Sequence, residues 1–157
     1  METIDGQVEL PQHQTIEELT DICDKWLALE DTIHLDSYAK EQSSIYFKVQ
    51  RLLAVETNAL DFFNQKLLST ELQLRRYYDG KFPPSVYRER PLKYPPSNQK
   101  ELDLCVKCDP MYHQIDLECT KAKRRVEFLE NVLWRIKERG SEIRTIMDWR
   151  KYIEAGI

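Results

Sequence analysis

Apolar positions along the chain fall mainly at helical spacing. Ile16, Leu19, Ile22, Cys23 and Trp26 recur by three and four, and Thr15 with Glu18 forms a capping box ahead of them, so a helix is predicted over 15–29. A second helix starts near Asp36 or Ser43 and runs to about Tyr78. Its seam is Tyr46, Val49, Leu53, Glu56, Leu60, Phe63, Leu67, Thr70, Leu74 and Tyr77, with leucine every seventh residue at 53, 60, 67 and 74. Gly80 closes it. Five of the seven prolines then fall in residues 81–96, which predicts an extended, non-helical excursion. Ser97 can cap a short helix through Cys108 with Leu102, Cys105 and Val106 on its apolar side; Leu102, Leu104 and Val106 also alternate as a strand would.

From Pro110 a third long helix is predicted to about Arg139, its seam being Tyr112, Ile115, Cys119, Ala122, Val126, Leu129, Leu133 and Ile136. Gly140 interrupts, Ser141 recaps, and a last helix carries Ile143, Ile146, Met147, Tyr152 and Ile153. The expected fold is all-α: a long antiparallel helix pair, a shorter N-terminal helix, a proline-rich excursion over 80–97 and a C-terminal helix. Residues 1–14 are expected to be a disordered acidic tail and 15–157 one helical domain. Each seam serves either as a core within one chain or as a contact between chains.

Composition narrows the function. The 157 residues are 41% hydrophobic and 32% charged, and the longest apolar run, Leu52 to Val55, is far below the ~20 residues needed to span a bilayer. Met1 to Gln14 has no apolar signal-peptide core, so a soluble intracellular chain is expected. With four glycines there is no Gly-rich phosphate loop. His13, His34 and His113 have no nucleophile and acid at a recognised spacing, so no catalytic residue is assigned and no cofactor expected. Cys105, Cys108, His113 and Cys119 offer zinc-type ligands close to knuckle spacing. Against that reading, no glycine lies between them, and a helix starting at Pro110 sets His113 and Cys119 on opposed faces. Reduced thiols are the alternative.

Charge is uneven. Residues 1–36 hold ten acids and one base, while the remaining 121 hold 17 acids and 22 bases. The basic part therefore suits an anionic partner, or pairs internally with the acidic part. Around the proline-rich bend, Arg75, Arg76, Lys81, Arg88, Arg90 and Lys93 are interleaved with Tyr77, Tyr78, Phe82, Tyr87 and Tyr94. Cations that track phosphates beside rings that stack on unpaired bases are what a single strand requires. These eleven residues are the candidate strand-binding set. A further basic run, Lys121, Lys123, Arg124 and Arg125, reads as a solvated face of the third helix.

The Tyr77-Tyr78-Asp79-Gly80-Lys81 segment closing a long charged helix resembles the Tyr-Tyr-x-Gly signature of the UvsY recombination mediators of large tailed phages. The stretch Ile136-Lys137-Glu138-Arg139-Gly140, followed by Ile143, Asp148, Arg150 and Glu154-Ala155-Gly156, is similar as well, and so is the placing of Asp109. The likeness covers roughly residues 43–157. It implies a non-enzymatic protein that binds single-stranded DNA and helps load a RecA-like recombinase onto strands coated by the phage single-strand-binding protein, in the cytoplasm of an infected host cell. It also implies a ring-like homo-oligomer of roughly six or seven subunits, held by the C-terminal region over 110–157: Leu129, Leu133, Ile136, Ile143, Ile146, Met147, Tyr152 and Ile153. One departure stands out: where the family's best-known form has a Lys-x-Arg pair before the Tyr-Tyr, this chain has Leu72 and Leu74, and Arg75 and Arg76 follow. The rival classes are a coiled-coil adaptor that binds only protein, and a zinc-knuckle nucleic-acid binder.

Overall fold

A computed structural model describes residues 13–28 and 34–156. Most of the predicted acidic tail, 1–12, lies outside them. The described residues contain five helices and no strand: α1 (Ile16–Leu27), α2 (Leu35–Tyr78), α3 (Pro84–Glu89), α4 (Gln99–Lys107) and α5 (Pro110–Glu154). The all-α expectation holds. The chain divides into two units. Among the described residues, one comprises 14–28, 34–59 and 122–156; the other comprises His13 and 60–121.

In the first unit, α1 opens on the predicted capping box. The Glu18 N–H donates to Thr15 Oγ1 at 3.2 Å, and the Thr15 N–H donates to Glu18 Oε2 at 2.9 Å. Leu19 and Cys23, one turn apart, are buried. Cys23 joins Ile45, Val49, Leu129, Val132 and Ile136 in the core, with Trp26, Leu53 and Leu133 packed around it. Burial pushes the Cys23 thiol up to about 11, which keeps it neutral among apolar neighbours.

The fully buried line of α2 follows the Val49, Glu56, Phe63, Thr70 and Tyr77 half of the predicted seam rather than its leucines, of which only Leu74 is fully buried. Leu35, Val49, Glu56, Phe63, Thr70 and Tyr77 are buried on a seven-residue repeat in which Gln42 is half-buried. Leu53, Leu60 and Leu67 flank it, half-buried. Every second position of the repeat is polar: Gln42, Glu56 and Thr70. Within the first unit α5 answers two of these. Arg125 Nε donates to Glu56 Oε2 at 2.7 Å, and Arg139 Nη1 donates to Gln42 Oε1 at 2.6 Å. Both pairs obey one antiparallel register in which the residue numbers sum to 181, and Val49 and Val132 share the core on that same register. A slip of one heptad sets the Arg125 guanidinium against Val49. Leaving one partner of a buried pair uncompensated costs about 3–5 kcal/mol, so these polar rungs oppose the slip more strongly than leucines do. Arg125 is therefore no solvated residue, as the basic run suggested: it is 6% exposed.

α5 also runs straight through Gly140, where an interruption was predicted. A helical glycine costs only about 1 kcal/mol relative to alanine, and Ile136, Arg139 and Ile143 are buried on both sides of it. The amphipathic pattern outweighs the local preference.

In the second unit the proline-rich stretch is not wholly extended: Pro84 starts the short α3 at its first helical position, where no N–H is needed. That helix ends at Arg90, immediately before Pro91, which disfavours helical backbone in the preceding residue. Segment 99–107 is helix rather than strand. Leu102 and Val106 are buried while Leu104 stays 63% exposed. The cap is Asn98, not Ser97: Asn98 Oδ1 accepts from the Glu101 N–H at 2.9 Å, and Ser97 donates its N–H and hydroxyl to Glu101 Oε2.

Candidate nucleic-acid interface

All eleven candidate strand-binding residues lie in the second unit, where α2 ends and the chain turns back. The turn is a Schellman closure. The Lys81 N–H donates to the Arg76 carbonyl at 3.0 Å and the Gly80 N–H to the Tyr77 carbonyl at 3.1 Å. It needs a left-handed residue, and Gly80 sits at φ 73°.

Beyond the turn, three side chains fold the loop against the end of α2. The Tyr87 ring stacks on Tyr77 with centroids 5.3 Å apart, and its hydroxyl donates to the Tyr77 carbonyl at 2.7 Å and accepts from the Phe82 N–H at 3.2 Å. The Tyr77 hydroxyl donates to the Arg90 carbonyl at 2.8 Å, while the Arg90 guanidinium covers the Tyr77 ring at 4.9 Å.

The loop is then anchored to α5 through one carboxylate. Asp109 is 1% exposed. Its Oδ2 accepts from Arg90 Nη2 at 2.5 Å and from the Tyr78 hydroxyl at 2.9 Å, and its Oδ1 accepts from the Met111 N–H at 2.9 Å. The last bond is an N-cap of α5, as the Asp109-Pro110 sequence predicts. A buried carboxylate is tolerable here because a cation and two donors satisfy it. Burial raises the Tyr77 and Tyr78 hydroxyls, and donation to Asp109 raises Tyr78 further, so both stay protonated and can donate.

The eleven residues thus divide by role. Tyr77 is buried, and Tyr78, Tyr87 and Arg90 are half-buried and hydrogen-bonded; they form the frame. Arg75 is held by Glu71 at 2.9 Å and Asp103 at 2.7 Å, which raise its pKa. Arg76, Lys81, Arg88, Lys93 and Tyr94 are exposed, Tyr94 by 84%. Arg76 lies over the half-buried Phe82 ring at 5.5 Å, and Lys81 pairs with Asp79 at 2.9 Å in solvent. Among the described residues Arg88 and Lys93 make no ion pair. Four cations and one open ring on a braced loop can hold phosphates and stack a base with little further ordering. Lys100 and Lys107, seven residues apart on one face of α4, are also exposed in this unit.

The residues expected to join subunits divide in the same way. Leu129, Ile136 and Ile143 are buried within their own chain, Leu133, Ile146 and Met147 are half-buried, and only Tyr152 and Ile153 are exposed. Trp149, 61% exposed, is edge-to-face with Tyr152 at 5.8 Å and adds to the exposed apolar surface there. Of the knuckle set, Cys108 and His113 are exposed whereas Cys119 is buried. Among the described residues no three His, Cys, Asp or Glu side chains come together as a metal-binding group, so the zinc-knuckle alternative has no site. Nor is any described helix long and apolar enough to cross a membrane.

Comparison with known proteins agrees with the helical reading. Residues 24–157 match the model of the family described as the recombination, repair and ssDNA binding protein UvsY. A search of curated proteins finds no match. Among solved structures, the bacteriophage T4 recombination mediator protein UvsY superposes with a TM-score of 0.73 at 19% identity, covering 90% of this chain and 99% of that one.

Proposed function

The chain belongs to the UvsY family of recombination mediators, and from that premise we propose that it binds single-stranded DNA through the exposed cations of the braced loop. The observation that carries the reading is the split within the basic-aromatic set. Tyr77, Tyr78, Tyr87, Arg90 and Asp109 hold one another, leaving Arg76, Lys81, Arg88, Lys93 and Tyr94 outward. Each site is weak. Several copies in a ring-like homo-oligomer gain affinity through effective concentration, so a chain of net charge −4 holds a strand and still releases it. Strand held in this way is open to a RecA-like recombinase in competition with the single-strand-binding protein, in the cytoplasm of the infected host. No catalytic residue and no cofactor enter this scheme.

The test is titration with oligo-dT and with duplex at two salt concentrations, with mass read by sedimentation. Arg88→Glu with Lys93→Glu should weaken strand binding and reduce the slope of log K against log salt by about 1.4, some 0.7 for each lost phosphate contact on a single strand. Arg75→Glu should act mainly on stability, because Arg75 is already paired. Binding and slope unchanged in the Arg88, Lys93 variant remove the loop from the strand site. No oligo-dT binding by the parent protein in dilute buffer favours the protein-only adaptor.

A further inference from the structure

Far from that loop in sequence, and in the other unit, a groove opens between the first part of α2 and the last part of α5. Its main cavity, about 460 Å³, is lined by Tyr46, Phe47 and Ile136, with Lys137 and Arg144 at its rim. A second cavity of about 240 Å³ shares Gln42, Gly140 and Arg144 and extends the lining to Met147. Three properties make it a built feature. Its wall is fixed: Gln42 donates to the Ile136 carbonyl and accepts from Arg139, so the amide is held on both sides. Its floor includes bare backbone at Gly140, which lines both cavities. Its charge has one sign: no carboxylate lines either cavity, although the chain carries a net −4.

Lys137 and Arg144 are exposed and make no ion pair among the described residues, and Phe47 is 61% exposed beside them. An apolar trough with two unpaired cations on its rim selects a ligand that is apolar in the middle and anionic at its edge. We propose that this groove is a docking site for an acidic peptide segment of a partner protein, one that buries a large apolar side chain against Phe47 and Ile136 and sets carboxylates on Lys137 and Arg144. Apolar burial supplies the anchor; the cations supply orientation and rejection of basic segments. A bare phosphate backbone fits less well, because it has nothing to place in the trough. The inference does not depend on strand binding by the loop.

The probe is a labelled peptide in which aspartates alternate with leucine and phenylalanine, compared with its lysine counterpart and with poly-aspartate. On the full-length protein the first should bind, weakening as salt rises, and the other two should bind roughly tenfold or more weakly. Lys137→Glu with Arg144→Glu, both at exposed positions, should weaken the acidic peptide at least about tenfold while leaving the sedimentation profile and oligo-dT binding unchanged. Phe47→Ala should weaken it at every salt concentration. The proposal is overturned if the acidic peptide does not bind or binds the double variant equally well. It is overturned too if oligo-dT displaces the peptide, which makes the groove a strand site, or if the double variant changes the sedimentation profile, which makes it a contact between copies.

Discussion

Replacing Asp109 by asparagine removes one charge and almost no volume, and it strikes the point where three segments meet. In the native structure Asp109 Oδ2 takes both the Arg90 guanidinium and the Tyr78 hydroxyl, and Oδ1 takes the Met111 N–H. Asparagine keeps one acceptor oxygen. If that oxygen continues to cap α5, the amide NH₂ faces two donors, and Arg90 loses its counter-ion. Breaking a fully buried pair from one side costs about 3–5 kcal/mol. Arg90 keeps 36% of its side chain in solvent, which allows partial rehydration, so we expect about 2–3 kcal/mol. The loss should concentrate in the loop. Urea unfolding measures the total, and hydrogen exchange should show protection falling at Lys81, Phe82 and Arg90 before it falls at Val49 and Leu129. Strand affinity should drop although no exposed cation has been touched, and Asp109→Glu should restore part of it. A loss below about 0.5 kcal/mol, the range of ordinary surface substitutions, would refute the idea that Asp109 fastens the loop.

Three further outcomes follow from other contacts. Glu56→Met and Arg125→Met should each destabilise by about 3–5 kcal/mol in urea unfolding, whereas the double variant should recover most of that, because a well-packed apolar pair dispenses with the desolvated charges. Gly80→Ala should cost about 1–2 kcal/mol, the penalty for a side chain at a left-handed position, with nothing within 4 Å to add a clash. Tyr77, Tyr78 and Tyr112 all have raised hydroxyl pKa values, chiefly from burial. Their folded pKa lies above the unfolded value near 10, so the stability linked to them is intact below about pH 10 and is lost as pH rises beyond it. Ultraviolet titration should show those three tyrosinates forming only with unfolding; early, reversible ionisation of all eight tyrosines would contradict the burial described.

Local signals in the chain were enough for α1, α2 and the start of α5, with the Thr15 capping box, the Gly80 stop and the Asp109 cap, because each depends on residues within one turn of one another. They were enough as well to locate the basic-aromatic bend and to support the family likeness. They could not say which way each side chain goes. Tyr78 and Tyr94, or Arg90 and Lys93, are alike as residue types; contact with Asp109, distant in sequence, turns one of each pair inward and leaves the other in water. The seam of α2 contains its buried residues, but periodicity does not say which half of the seam is fully buried. Leucine at every seventh residue announces an apolar stripe, yet the fully buried line runs through Val49, Glu56, Phe63 and Thr70, since Arg125 on another helix makes a buried glutamate affordable. Periodicity is a property of one helix, and burial is a property of what packs against it; the tertiary structure alone decided which cations stabilise this protein and which remain free for a ligand.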